Sequence, residues 1–323
     1  MNSKVKRTVV GSFPKQPLPV PEAIRYLADL QLHYGINPIS DGEQHYDMIG
    51  YFDQIPGLGR GPLGLSVMDE IRPPEHPDTF YKIEDYLFLR RYLDSIGRRD
   101  VGIKTAITGP ITLGLTCASK GVKYYRRADD VRLYIDLSKA LRSLIERLLN
   151  LGAYVQIDEP GLSARYMNPK EAVEIINDML SGVRGEALER VSIHICGDLS
   201  KVRGLIDSIL NLRLKVLSLA FSGEHERGNV QLFSKAQLEG SLKKIGVGCV
   251  ATSIETVDDV DDVEKILNRL VELEGRLGYG NIAYFHPDCG LRSLSMDTVE
   301  KILKHMELAA NLLEARLSSL ESR

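Results

Sequence analysis

The segment Arg190-Val-Ser-Ile-His-Ile-Cys196 alternates like a short buried strand and stops at Gly197. On a strand, His194 and Cys196 leave from the same face, because side chains two residues apart share it. An imidazole beside a thiol is half of a zinc site. The bland alternative is a buried cysteine next to a hydrogen-bonded histidine, and the pair alone does not separate the two. Cys289, in Asp288-Cys-Gly290, supplies a second thiol far along the chain. Two thiolates and one imidazole form a soft set suited to zinc, with a position open for a fourth protein ligand or a substrate thiol. Read structurally, Cys289 is equally a reduced core cysteine in a turn.

Carboxylates come next. Asp158-Glu159-Pro160 ends an apolar run with two acids, and strand alternation turns one inward and the other aside. An inward Asp158 would hold a substrate ammonium group; a buried acid paired with a lysine or arginine is the competing reading. Asp41-Gly-Glu43 offers the same choice for Glu43. Ser12, after Gly11, has a hydroxyl and a backbone N–H for a substrate carboxylate. Thr108-Gly-Pro110 reads as turn chemistry.

These residues need elements to position them. Short β-branched runs at 7–13, 38–43, 101–107, 153–160, 190–196, 214–221, 244–251 and 282–290 predict eight strands. Helical periodicity falls at 21–34, 83–96, 128–151, 169–180 and 296–317. Strands alternating with helices predict parallel pairing through right-handed crossovers, and eight such units predict a (β/α)8 TIM barrel. The expected organisation is one domain over 1–323, with a Gly/Pro-rich insertion or lid region at about 45–100, after the second strand. Ser12, Glu43, Thr108, Asp158, His194, Cys196 and Cys289 all fall at C-terminal strand ends, the face on which barrels of this kind carry their sites. A doubly wound open sheet is disfavoured, since no Gly-rich dinucleotide loop follows the first strand.

The 323 residues carry a formal charge of -3 and no run that would cross a membrane, so neither nucleic acid nor membrane is an expected partner. A cytoplasmic location is expected. Four cysteines with no tight pairing argue for reduced thiols, chemistry or metal rather than a disulfide framework.

Taken in order, Val10-Gly-Ser-Phe-Pro14, Asp41-Gly-Glu43 with Tyr46-Asp-Met48, Thr108-Gly-Pro110, Gln156-Ile-Asp-Glu-Pro160, His194-Ile-Cys196 and Pro287-Asp-Cys-Gly-Leu291 resemble the catalytic C-terminal domain of cobalamin-independent methionine synthase. The resemblance runs from about residue 7 to the last helix. It implies a zinc-dependent methyl transfer to the thiol of homocysteine, forming methionine. His194, Cys196 and Cys289 match the family's zinc ligands. Ser12, Glu43 and Asp158 match positions that hold the amino-acid end of homocysteine or methionine, with Asp158 also in the catalytic set. The implied donor is a methyltetrahydropterin or a methyl-corrinoid, free or on a protein carrier.

This sequence departs from the family at three places. Ala220 stands where the family has a fourth ligand, a glutamate, and Glu224 and His225 are the nearest substitutes. Ala251 and Ser253 stand where an Asp and a proton-donating His are expected. A form without the N-terminal domain that helps bind polyglutamyl folate is expected, and the folate-stacking Trp is missing, since the sequence has no Trp. A diverged paralogue acting on another thiol, or a non-catalytic amino-acid-binding barrel, are the alternatives.

Overall fold

The computed structural model describes residues 6–223 and 227–321. Its strands are β1 (Lys6–Arg7), β2 (Leu58–Gly61), β3 (Gly64–Val67), β4 (Lys104–Thr108), β5 (Tyr154–Asp158), β6 (Val191–Ile195), β7 (Val216–Ala220), β8 (Lys244–Val250) and β9 (Ile282–Pro287). Seven of them form one sheet in the order β1-β9-β8-β7-β6-β5-β4, with every neighbouring pair parallel. The helices are α1 (Val20–His33), α2 (Tyr81–Ser95), α3 (Pro110–Lys120), α4 (Val131–Asn150), α5 (Pro169–Met179), α6 (Leu205–Ile209), α7 (Lys235–Ser241), α8 (Val263–Leu277) and α9 (Met296–Glu321). Among the described residues no helix is long and apolar enough to cross a membrane.

The helices follow their apolar spacing. In α4, Leu133, Leu137, Leu141, Leu144 and Leu148 recur every three or four residues and are all buried. Asp130 caps its first turn by accepting from the Arg132 backbone N–H. Burying each such leucine is worth roughly 1.5–3 kcal/mol. In α8 the buried stripe is Ile266, Leu270, Leu273 and Leu277, and Asp262 caps the start.

The eight regular strands expected from sequence resolve into a seven-stranded parallel sheet, because the first two strand candidates are mostly irregular. Of 7–13, only Lys6–Arg7 is strand, with an isolated parallel bridge from Ser12 to Gly42. Of 38–43, only that bridge and one from Ile39 to Ile103 remain. Side chains have taken the backbone groups that a ladder would use. Gln31 accepts from the Ser40 N–H at 2.8 Å and donates to the Ser40 carbonyl at 2.9 Å. The carbonyls of Val9 and Val10 accept from Lys104 Nζ and Gln156 Nε2. Gly42 and Glu43 then take positive φ, which no strand continues. The two bridges nonetheless seat segment 39–42 between the chain following β1 and that preceding β4.

Residues 45–100 hold the helix expected there, α2, which packs on α1, and an antiparallel hairpin, β2–β3, that was not expected. The turn expected at Thr108-Gly-Pro110 is also the start of α3, with Pro110 in its first turn. Glu159 secures that helix: it accepts from the N–H groups of Ile111 and Thr112 at 2.9 and 2.8 Å, and from the Thr112 hydroxyl at 2.6 Å. Glu159→Ala strands these buried donors and is expected to lower stability by about 2–4 kcal/mol in urea denaturation.

Candidate active site

The strand register lines up the inward side chains. Thr108 of β4 pairs with Asp158 of β5, Asp158 with His194 of β6, and His194 with Ser218 of β7. Cys196 follows the end of β6, and Cys289 lies two residues beyond β9. Ser12 and Glu43 reach the same cavity from the two irregular segments. A cavity of about 310 Å³ is lined by Ser12, Glu43, Asp158, His194, Cys196 and Cys289, so every site residue expected from sequence meets in one place. A larger groove of about 820 Å³ lies around the strand starts, lined by lysines such as Lys6, Lys215 and Lys244, and has no thiol in its wall.

The ligating atoms of His194, Cys196 and Cys289 lie within 4.8 Å of one another. His194 Nε2 is buried with no hydrogen-bond partner, whereas its Nδ1 is engaged by Ser218 Oγ at 3.1 Å. A buried nitrogen left bare beside two sulfurs is what a soft cation would satisfy. Cys289 is held well below the ordinary thiol range, to about 4, because it accepts from the Cys196 thiol and faces His194; Cys196 is pushed up correspondingly. Cys249 and Cys117 are buried in the core, with burial pushing each thiol up to about 12.

Of the paired acids, Asp158 faces the cavity and Glu159 is the α3 cap already described. Burial pushes the Asp158 carboxyl up to about 6, opposed by His194 and by a 2.7 Å hydrogen bond from Gln156 Nε2. Gln156 is itself fixed, since its Oε1 accepts from Lys104 Nζ at 2.7 Å. Ser12 is approached so closely by Gly290 that a Cβ there would sit 2.2 Å from the serine hydroxyl.

Glu43 has φ 55, unusual for a side-chain-bearing residue. Its N–H donates to Asp41 Oδ1 at 2.8 Å and its carbonyl accepts from Arg292 at 2.6 Å, which hold it there. Its carboxylate accepts from Lys82 Nζ at 2.7 Å, and both side chains are buried. Burial penalises the Lys82 ammonium, yet Glu43 and Asp41 outweigh it and its pKa ends above the usual lysine value. Lys82 comes from α2, in the region read as an insertion, and its sequence context of Tyr81-Lys-Ile83 carries no signal of this role.

Asp288, beside Cys289, accepts from the N–H groups of Phe221, Ser222 and Gly223 at 3.0, 3.0 and 2.7 Å. This anchors the turn after β7, where Ala220 closes the strand without a ligating atom. Glu224 and His225, the sequence-level substitutes, lie outside the described residues.

Fold and site together define an α/β protein with one imidazole, two thiols and a cluster of carboxylates gathered at its C-terminal strand ends. The family profile described as "Cobalamin-independent synthase, Catalytic domain" matches residues 12–312. A methionine synthase of Methanothermobacter marburgensis is 31% identical, over 94% of this chain and 98% of its own. One from Methanothermobacter thermautotrophicus is 30% identical, over 94% and 98%. A B12-independent methionine synthase from Shewanella sp. W3-18-1, solved with selenomethionine, superposes with a TM-score of 0.72 at 18% identity, covering 98% of this chain and 100% of that one; this likeness speaks for the fold. The chain belongs to the cobalamin-independent methionine synthase family, as its catalytic domain, and its enzyme class is S-methyltransferase.

Lys82→Met removes the one cation that pairs with the Glu43 carboxylate among the described residues. The loss expected in chemical denaturation is about 3–5 kcal/mol, the cost of leaving one partner of a buried pair alone.

Proposed function

We propose that this chain moves a methyl group to the thiol of homocysteine, forming methionine, with zinc held by His194, Cys196 and Cys289. The observation that carries the reading is the meeting of a bare imidazole nitrogen, two thiols and two cavity-facing carboxylates in one cavity. The donor set fits zinc: nitrogen and sulfur in a three-ligand arrangement leave a position for a substrate sulfur. Zinc bound there would supply a Lewis acid that stabilises a thiolate at neutral pH.

The protein's own residues do the rest. Asp158 offers a substrate ammonium a carboxylate that burial has left short of counter-charge, so an arriving ammonium is favoured. Glu43 lends its carboxylate to the same cavity, already charge-balanced by Lys82, so it positions more than it attracts. The Ser12 hydroxyl, held against Gly290, receives the substrate carboxylate. Fixing both ends of the amino acid aims its sulfur, and an in-line displacement then gains mostly from orientation. We read the ring as a closed (β/α)8 barrel acting as a single domain, with segment 39–42 as its eighth stave and 45–100 forming part of the site's wall. The two bridges from that segment support this closure.

The test is methionine formation by zinc-loaded protein from homocysteine, with a methyltetrahydropterin and a methyl-corrinoid supplied separately. Methionine from one of them is the expected result and identifies the donor; none from either overturns the proposal. In the same assay Cys289→Ser is expected to abolish turnover. Asp158→Asn is expected to lower kcat/KM for homocysteine by about 10²–10³-fold, the worth of a lost buried charge partner.

A further inference from the structure

Behind His194 the interior holds two side chains, Ser218 and His286, to which the chemistry above gives no part. His194 Nδ1 lies 3.1 Å from Ser218 Oγ, and Ser218 Oγ lies 3.0 Å from His286 Nε2. His286 Nδ1 in turn lies 2.6 Å from the Pro287 carbonyl oxygen. All three side chains are buried. They come from β6, β7 and β9, and the intervening β8 sets Gly246 beside Ser218 and Gly248 beside His286, with no side chain to stand between them.

For neutral rings the direction of each bond follows from its partners. A carbonyl only accepts, so His286 Nδ1 carries its ring's proton. With Nδ1 given to that carbonyl, the neutral form of this fully buried ring has its lone pair on Nε2, which takes the Ser218 hydroxyl proton. Ser218 then has only lone pairs to turn toward His194, and His194 Nδ1 must donate. The remaining nitrogen, Nε2, is left with its lone pair, and it is the one buried without a partner. Reversing any one bond would set two donors or two acceptors face to face.

We propose that Ser218 and His286 are positioning residues that fix His194 in the tautomer protonated on Nδ1 and so present Nε2 to the metal ion. This rests on the zinc reading above. Outer partners of a metal-bound imidazole set its tautomer and orientation, and their loss weakens metal binding by about 10–100-fold. Neither residue is marked by a motif: Ser218 sits in an apolar strand, and His286 precedes Pro287-Asp-Cys289 without the spacing of a ligand.

The experiment measures zinc affinity by chelator competition, together with long-range ¹H–¹⁵N spectra of zinc-loaded protein labelled in its histidines. The expected wild-type spectrum has His194 protonated on Nδ1 and metal-bound through Nε2. Ser218→Ala and His286→Phe are expected to weaken zinc binding by about 10–100-fold, and Ser218→Thr, which keeps the hydroxyl, to retain it. Metal on Nδ1 of His194, or folded Ala and Phe variants that bind zinc like the wild type, overturns the inference. The wild-type spectrum and the Thr variant decide the matter even if the other variants fail to fold. The functional reading fails separately: zinc bound as expected without methionine formation removes that reading alone, and a wild type that takes up no zinc removes both.

Discussion

The inside of the sheet is polar, and each polar group buried there must find a partner. That requirement organises both fold and site. Where the chain after β1 leaves the ladder, the carbonyls of Val9 and Val10 are met by Lys104 and Gln156, reaching across from β4 and β5. Gln156, held in this way, has an N–H to spare for Asp158 and so aims the carboxylate at the cavity. An irregular first strand, an orienting amide and a poised acid are thus one connected solution. A second set of interior groups, on β6, β7 and β9, orders the imidazole side. Burial raises the cost of any unmet group, so the arrangement has few alternatives.

Much of this was legible in the sequence, for identifiable reasons. Strong periodicity placed α1, α2, α4, α5 and α9 to within a few residues, because their buried stripes are continuous. The site was legible because its residues follow strands, and parallel strands deliver their ends to one face: Ser12, Glu43, Asp158, His194, Cys196 and Cys289 share a cavity despite a spread of most of the chain. The departures were local. Apolar runs at 7–13 and 38–43 have strand composition, but side chains from Gln31, Lys104 and Gln156 compete for their backbone, which no local pattern reveals. Lys82 was illegible for a different reason. It sits in the first turn of a helix, where a lysine ordinarily faces water, and only the tertiary placement of α2 buries it on Glu43.

That pairing changes how the carboxylates divide their work. Asp41, Glu43 and Asp85 crowd around one ammonium, and burial with repulsion from Asp41 pushes Asp85 up to about 8. A carboxyl raised in this way takes up a proton more readily than an ordinary aspartate, which relieves the crowding. Tyr51 places its ring 3.9 Å from Lys82 Nζ and its hydroxyl on Asp85, closing the cluster. The region first read as an insertion is therefore bonded into the site's wall through a neutralised knot of charges.

Asp288 has a mechanical consequence. Its carboxylate grips three successive N–H groups of the turn after β7, and its backbone leads directly into Cys289. The turn and the thiol are hinged to the same residue. A displacement of one drags the other unless the whole grip is released, so crowding at the rim would be felt as a changed sulfur position at the centre.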